Sequence, residues 1–244
     1  MTGITTERAV DVVERIIQTV IAPNAWLARS GRYPRTAIGA FGRTGLLGLT
    51  VGAEAGGLGH GLPEAVDTVR RVASACPAIA TVLARHYAAT AVLEAHAPQH
   101  VRAEIAAGRH LSTLALDDVG GERWSGGGTA EIRGYAAQVY SCKRCVISAG
   151  EADSYIWSTR ARTVTGGLTL WLVPGAAPGL YIAAEPHAVG PPGSGCADIL
   201  ADPALIPSTA TLGADGTGAT ILARTAAPWL LALSEAVEQG WRRS

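Results

Sequence analysis

Hydrophobic periodicity changes character once along this chain, near His110. Before that point apolar residues recur at helical spacing. Val13, Ile16, Ile17, Val20 and Ile21 fall on one helix face. Thr6 is the expected N-cap of that helix, with Glu7 in its first turn, and Pro23 and Asn24 disturb it. A glycine-rich loop, Gly52 to Gly61, comes next. Pro63 opens a helix through Ala75, with Val66, Val69 and Ala73 on one side. Pro77 opens another, whose face is Ile79, Val82, Leu83, His86, Thr90 and Leu93, and Pro98 opens a shorter one closed by Gly108. Beyond His110 the texture is short β-like runs: LSTLAL, QVYSC, SYIWSTR, LTLWLV, LYIAAE and ADILA. Gly and Pro clusters separate them at the spacing of a small β-barrel or sandwich. The tail turns helical again, with Trp229, Leu230, Leu233, Ala236 and Val237 on one face. The pattern predicts an α+β fold: a helical domain over residues 1–110, a β-barrel or sandwich over 111–213, and one C-terminal helix within 214–244.

Charged residues make up 16% of the chain. An average soluble domain carries about 25%. The surface is therefore expected to be apolar and partly covered by another subunit. The amphipathic last helix must dock on the preceding domains or on another chain, and a homodimer or a hetero-partner through that helix is expected. The balanced net charge argues against nucleic acid or an anionic membrane as partner. No run is long and apolar enough for a membrane span, and the start does not read as a signal peptide. A cytoplasmic, reducing setting is expected. Cys142 and Cys145 have CxxC spacing, but Cys76 and Cys196 stand apart. Half-buried strand cysteines are expected and no metal site. The single lysine, Lys143, reads as coding bias in an arginine-rich chain. No Ser-His-Asp order, HExxH or Walker pattern is present.

Three segments, Gly45 to Leu93, Lys143 to Trp157 and Gly167 to Gly213, together resemble the acyl-CoA dehydrogenases and related flavin monooxygenases. The first resembles the family's Gly-Leu-Leu, Gly-Gly-x-Gly loop and two helices. The second is similar to its Lys-x-aromatic-Ile-Thr-Asn strand with a following Ala-Asp pair. The third is similar to the Val-Pro, Pro-Gly, Leu-Gly and Val-Pro milestones of its β domain. The resemblance implies the first two domains of that family and the first helix of its third domain, about Ala219 to Trp241. The family's base is a glutamate of the third domain, so that base is expected to be missing.

The resemblance also implies a flavin site between the domains, and the matching positions depart from it. Asp117, Asp118 and Val119 stand where the family has Thr-Glu-Pro, and Cys145, Val146 and Ile147 where it has aromatic-Ile-Thr. Ser141 replaces a glycine, and Pro192 replaces an arginine. A stacking ring and hydroxyl donors are lost, and a carboxylate would repel reduced flavin. No cofactor is expected, or FAD if the departures are tolerated. The emptied cleft would be walled by His86, Tyr87, Leu116, Asp117, Asp118, Trp124, Cys145 and Ser148. His86 is either a core histidine bonded to backbone or an acid/base group. Asp117 and Asp118 point to opposite faces if strand-like, so at most one faces the cleft. Trp124 is a lid or a staple onto the β domain, and Glu185 and His187 read as surface residues. The expected function is a flavin-independent cyclisation, rearrangement or isomerisation of an apolar, polyketide-like substrate. Holding it in a reactive shape would do most of the work in a cleft with few ionisable groups. The alternatives are a flavin dehydrogenase or monooxygenase subunit completed by a partner chain, and a non-catalytic binding protein.

Overall fold

The computed structural model describes residues 6–118, 127–184 and 190–242. The helical domain comprises α1 (Thr6–Ile16), α2 (Ala22–Arg29), α3 (Arg35–Arg43), α4 (Leu62–Ala75), α5 (Pro77–His96) and α6 (Gln99–Ala106). Thr6 is itself helical. Pro23 disturbs its helix, as the sequence suggested, without ending it. The turn before it widens into a π-helical segment, Ile17–Ile21, and helix continues to Arg29. Proline lacks an N–H and crowds the carbonyl four residues back, and a wider turn accommodates both. The same device recurs at Pro228, where π-helical Leu222–Ala226 precedes α8 (Ala227–Trp241) and follows the short α7 (Gly218–Ile221).

Helix α5 is the hub. It buries residues all round, from Ala78 and Ile79 to Val92 and Leu93, as expected of a helix surrounded by other elements. It packs against α4, α8 and the first strand. The C-terminal helix α8 therefore docks on its own chain, burying Leu230, Leu233 and Ala236 against α4 and α5. Gly240 permits a close approach to α4: a Cβ there would lie 2.5 Å from the carbonyl oxygen of Arg70.

The β domain is two sheets, not a closed barrel. One has the order β1 (Ser112–Ala115), β4 (Ser154–Arg160), β5 (Leu168–Pro174), with β1 and β4 parallel. The other has the order β2 (Thr129–Arg133), β3 (Ala136–Val146), β7 (Ala197–Pro207), β6 (Leu180–Ile182), all antiparallel. Trp157 and Trp171 face each other across β4 and β5, fully buried. The apolar core runs without a break from the helices into both sheets.

Candidate interdomain site

The site lies where the end of β1 and the end of β3 meet α5 and α8. Beyond β1 the backbone alternates, so Asp117 and Asp118 point to opposite sides. Asp118 turns inward. Its Oδ2 pairs with Lys143 Nζ at 2.9 Å and accepts the Gly127 N–H at 2.8 Å. Lys143 Nζ also donates to Ser158 Oγ at 2.8 Å and to the Leu116 carbonyl at 3.4 Å. Three acceptors match the three protons of an ammonium. Burial pulls the Lys143 pKa down, and the Asp118 carboxylate opposes that shift. The lone lysine is thus a structural element of the β domain, a role its sequence context did not disclose.

Asp117 turns outward, and its carbonyl accepts the Arg144 N–H at 2.8 Å. The β3–β7 register slips between Lys143 and Val146, and Cys145 takes a φ of 53° in that bulge. The Cys145 N–H donates to Asp198 Oδ1 at 2.9 Å. Val146 and Ile147 are buried. Ser148, at a φ of 58°, is buried away from the cleft, its Oγ 2.9 Å from Tyr33 Oη. Cys196 lies beside Cys145, and burial pushes its thiol up to about 11.

These elements leave a cavity of about 70 Å³. Asp117, Arg144 and Cys145 line it from the β domain, Arg85 from α5, over an apolar floor of Leu114, Leu116, Ile147 and Leu230. Of the residues expected there, Leu116, Asp117 and Cys145 are present. His86 and Tyr87 are not. His86 is fully buried, its Nε2 donating to the Leu47 carbonyl at 2.9 Å and its Nδ1 accepting the Ser112 N–H at 3.2 Å. Burial lowers its pKa to about 4. Tyr87 donates to the Leu46 carbonyl at 2.8 Å. Both side chains clamp the Leu46–Leu47 segment onto α5. Asp118 and Ser148 belong to the interior. Trp124, Val119, Glu185 and His187 lie outside the described residues. Arg85 and Arg144 join Asp117 in lining this cavity. Arg85 and Arg144 were missed, although each adjoins a residue that was singled out.

Residues 5–107 match the family model of the acyl-CoA dehydrogenase N-terminal domain. Among curated proteins no sequence matches the chain. Butyryl-CoA dehydrogenase from Megasphaera elsdenii superposes with a TM-score of 0.86 at 16% identity, over 98% of this chain and 67% of that one. FMN-bound TdsC from Paenibacillus sp. A11-2 gives 0.84 at 19% identity, over 96% of this chain and 62% of that one. An acyl-CoA dehydrogenase from Geobacillus kaustophilus gives 0.84 at 16%, over 95% and 64%. At such identities the likeness establishes the fold. The chain spans about two thirds of the length of these structures.

Proposed function

We propose, for a chain that has the acyl-CoA dehydrogenase-like fold, a flavin-independent enzyme that moves a proton next to a carbonyl group of an otherwise apolar, polyketide-like substrate, isomerising or cyclising it at the interdomain site. The observation that carries this reading is the grouping of the Asp117 carboxylate with the Arg85 and Arg144 side chains around one small cavity above an apolar floor. Liquid water occupies about 30 Å³ per molecule, so 70 Å³ holds one functional group such as a carbonyl. Small-molecule pockets start at roughly 300 Å³. The described wall offers a flavin ring neither an aromatic plane nor a hydroxyl. The backbone N–H groups of Arg144 and Cys145 are already taken by Asp117 and Asp198. The described residues of this wall therefore do not suit a flavin, and no step is routed through one.

In the proposed reaction a substrate carbonyl points between the two arginines. Asp117 removes a proton from the adjacent carbon, and the negative charge formed on the carbonyl oxygen is met by the guanidinium groups. The protonated Asp117 then returns the proton to another carbon, which is an isomerisation. Alternatively the enolate carbon attacks a second carbonyl, forming a carbon–carbon bond, and Asp117 protonates the resulting alkoxide. The leucine floor keeps water away from the reacting carbon.

Proton exchange tests this directly. β-Ketoacyl thioesters and diketones incubated in D2O with the enzyme should exchange their α-protons, read by NMR. Asp117→Asn should slow exchange by about 10²–10⁴-fold, while purified protein given FAD or FMN stays colourless. Exchange that persists in the Asn variant, or a yellow complex, would sink the proposal. A second reading, a flavin enzyme completed by a partner chain, is favoured by the exposure of Leu231 (66%) and Trp241 (64%) on α8. A yellow complex formed only on co-expression with such a partner would establish it.

A further inference from the structure

We infer that Cys145 and Cys196 are a modification site, an oxidisable thiol pair that a hydroperoxide converts to a disulfide and a thiol reductant restores. The pairing is independent of the interdomain reading. Its effect on catalysis rests on that reading.

All four cysteines are free thiols, and the fold brings these two together. In the β3–β7 ladder Val146 pairs with Ala197, so Cys145 and Cys196 flank that pair on diagonally opposite sides. Diagonal neighbours of a regular ladder are about 7–8 Å apart. A disulfide spans a Cα separation of about 4.4–6.8 Å. This ladder is not regular there. Arg144 and Cys145 together stand opposite Asp198 alone, and Cys145 takes a φ of 53°. The bulge re-aims its side chain, and the Cys196 thiol hydrogen-bonds to the Cys145 sulfur. Gly195, at a φ of 65°, gives the backbone just before Cys196 freedom to adjust. The other two cysteines are placed elsewhere. Cys142 stands opposite the exposed Leu200, and Cys76 lies between α4 and α5.

The two sulfurs have different roles. Cys145 lines the interdomain cavity with Arg85, Asp117 and Arg144, where a small oxidant reaches it. Cys196 is buried. Burial, and then the neighbouring Cys145 thiol, keep the proton on Cys196. Cys145 therefore reacts first and Cys196 resolves. The deprotonated Cys145 sulfur attacks one oxygen of hydrogen peroxide. An S–O bond forms, the O–O bond breaks, and the departing hydroxide takes up a proton as water. The Cys196 sulfur then attacks the Cys145 sulfur. An S–S bond forms, the S–O bond breaks, and the departing hydroxide leaves with the Cys196 proton as a second water. Two thiols and one peroxide give one disulfide and two waters. In a reducing compartment such a bond is transient, as a redox signal requires. The bond draws Cys145 away from the cavity wall. Arg144 moves with it, and the Arg144 N–H holds the Asp117 carbonyl. Misplacing a reacting group by about 1 Å costs about 10²-fold in rate.

Hydrogen peroxide followed by iodoacetamide and mass spectrometry tests the pair. The oxidised chain should be lighter by two hydrogens, with the Cys145 and Cys196 peptides linked, and dithiothreitol should reverse this. Cys196→Ser, shown folded by circular dichroism, should stop at a Cys145 sulfenic acid that dimedone traps. Cys142→Ser should leave the disulfide unchanged. α-Proton exchange by the wild type should fall about 10–10²-fold on oxidation and return with dithiothreitol. The inference is overturned if no disulfide forms, if Cys145 joins Cys142 instead, or if the disulfide survives Cys196→Ser. A disulfide that leaves exchange unchanged overturns the control of catalysis. A reduced protein that exchanges no protons overturns the interdomain reading, while the linked peptides still decide the pair.

Discussion

Replacing Lys143 by methionine should destabilise the chain more than most single substitutions do. Lys143 is fully buried, and the Asp118 side chain is 6% exposed. Methionine keeps most of the aliphatic volume but removes the ammonium that serves Asp118, Ser158 and Leu116. Asp118 Oδ2 would keep the Gly127 N–H, and its Oδ1 has no partner among the described residues. A buried carboxylate stranded in this way costs about 3–5 kcal/mol. With a urea slope near the upper end of the usual range, about 3 kcal/mol/M, the unfolding midpoint should fall by roughly 1–2 M. The double variant Asp118→Asn with Lys143→Met removes the stranded charge and should recover most of the loss. Lys143 is also the only lysine, so an amine-reactive acylating reagent should label the chain at this position only after denaturation. Three results would refute the buried-pair argument. They are a loss in Lys143→Met well short of that 3–5 kcal/mol range, a double variant no more stable than the single one, and rapid labelling of the native protein.

Three further outcomes follow from the same geometry. His86 titrates near 4 when folded and near 6.5 when unfolded. Its stabilising contribution is therefore complete above about pH 6.5 and is lost as pH falls toward 4, a difference of about 3 kcal/mol that urea melts at pH 7 and pH 4 would detect. Asp215 is also a stabilising acid. Burial would raise its pKa, but hydroxyl bonds from Thr169 and Thr163 and the N–H groups of Arg162 and Thr163 outweigh this and hold it well below the usual carboxylate range. Stability from this group is present above the unfolded carboxylate pKa and is lost as pH falls below it. Asp215→Ala should flatten the acid limb of the stability curve. Gly240→Ala would set a methyl group against the Arg70 carbonyl. That should cost about 1–3 kcal/mol and lower the melting temperature by roughly 3–10 °C, with α8 loosened first in hydrogen exchange.

The order of elements was legible because it rests on local rules. Pro63 and Pro77 mark helix starts, since the missing N–H falls where no intrahelical partner exists. SYIWSTR reads as a strand and is β4. β2 escaped because Thr129, Glu131, Ile132 and Arg133 face solvent, leaving no apolar alternation to see. ADILA was found but runs on through Asp202 and Pro203 to Pro207, where turn-forming residues hid the rest of β7.

Local alternation determined that Asp117 and Asp118 could not share a face, yet only tertiary packing decided which of them met Lys143 and which met the cavity. On α5 one residue is a rotation of about 100°. A helix buried all round has no polar face to set its phase, so the expected pair His86 and Tyr87 points into the core while Arg85 reaches the site. Arg85, Asp117, Arg144 and Leu230 come from four separate elements. Residue periodicity specifies each element alone. Which faces meet depends on contacts between residues far apart in the chain, and those exist only once the helices and the two sheets have packed.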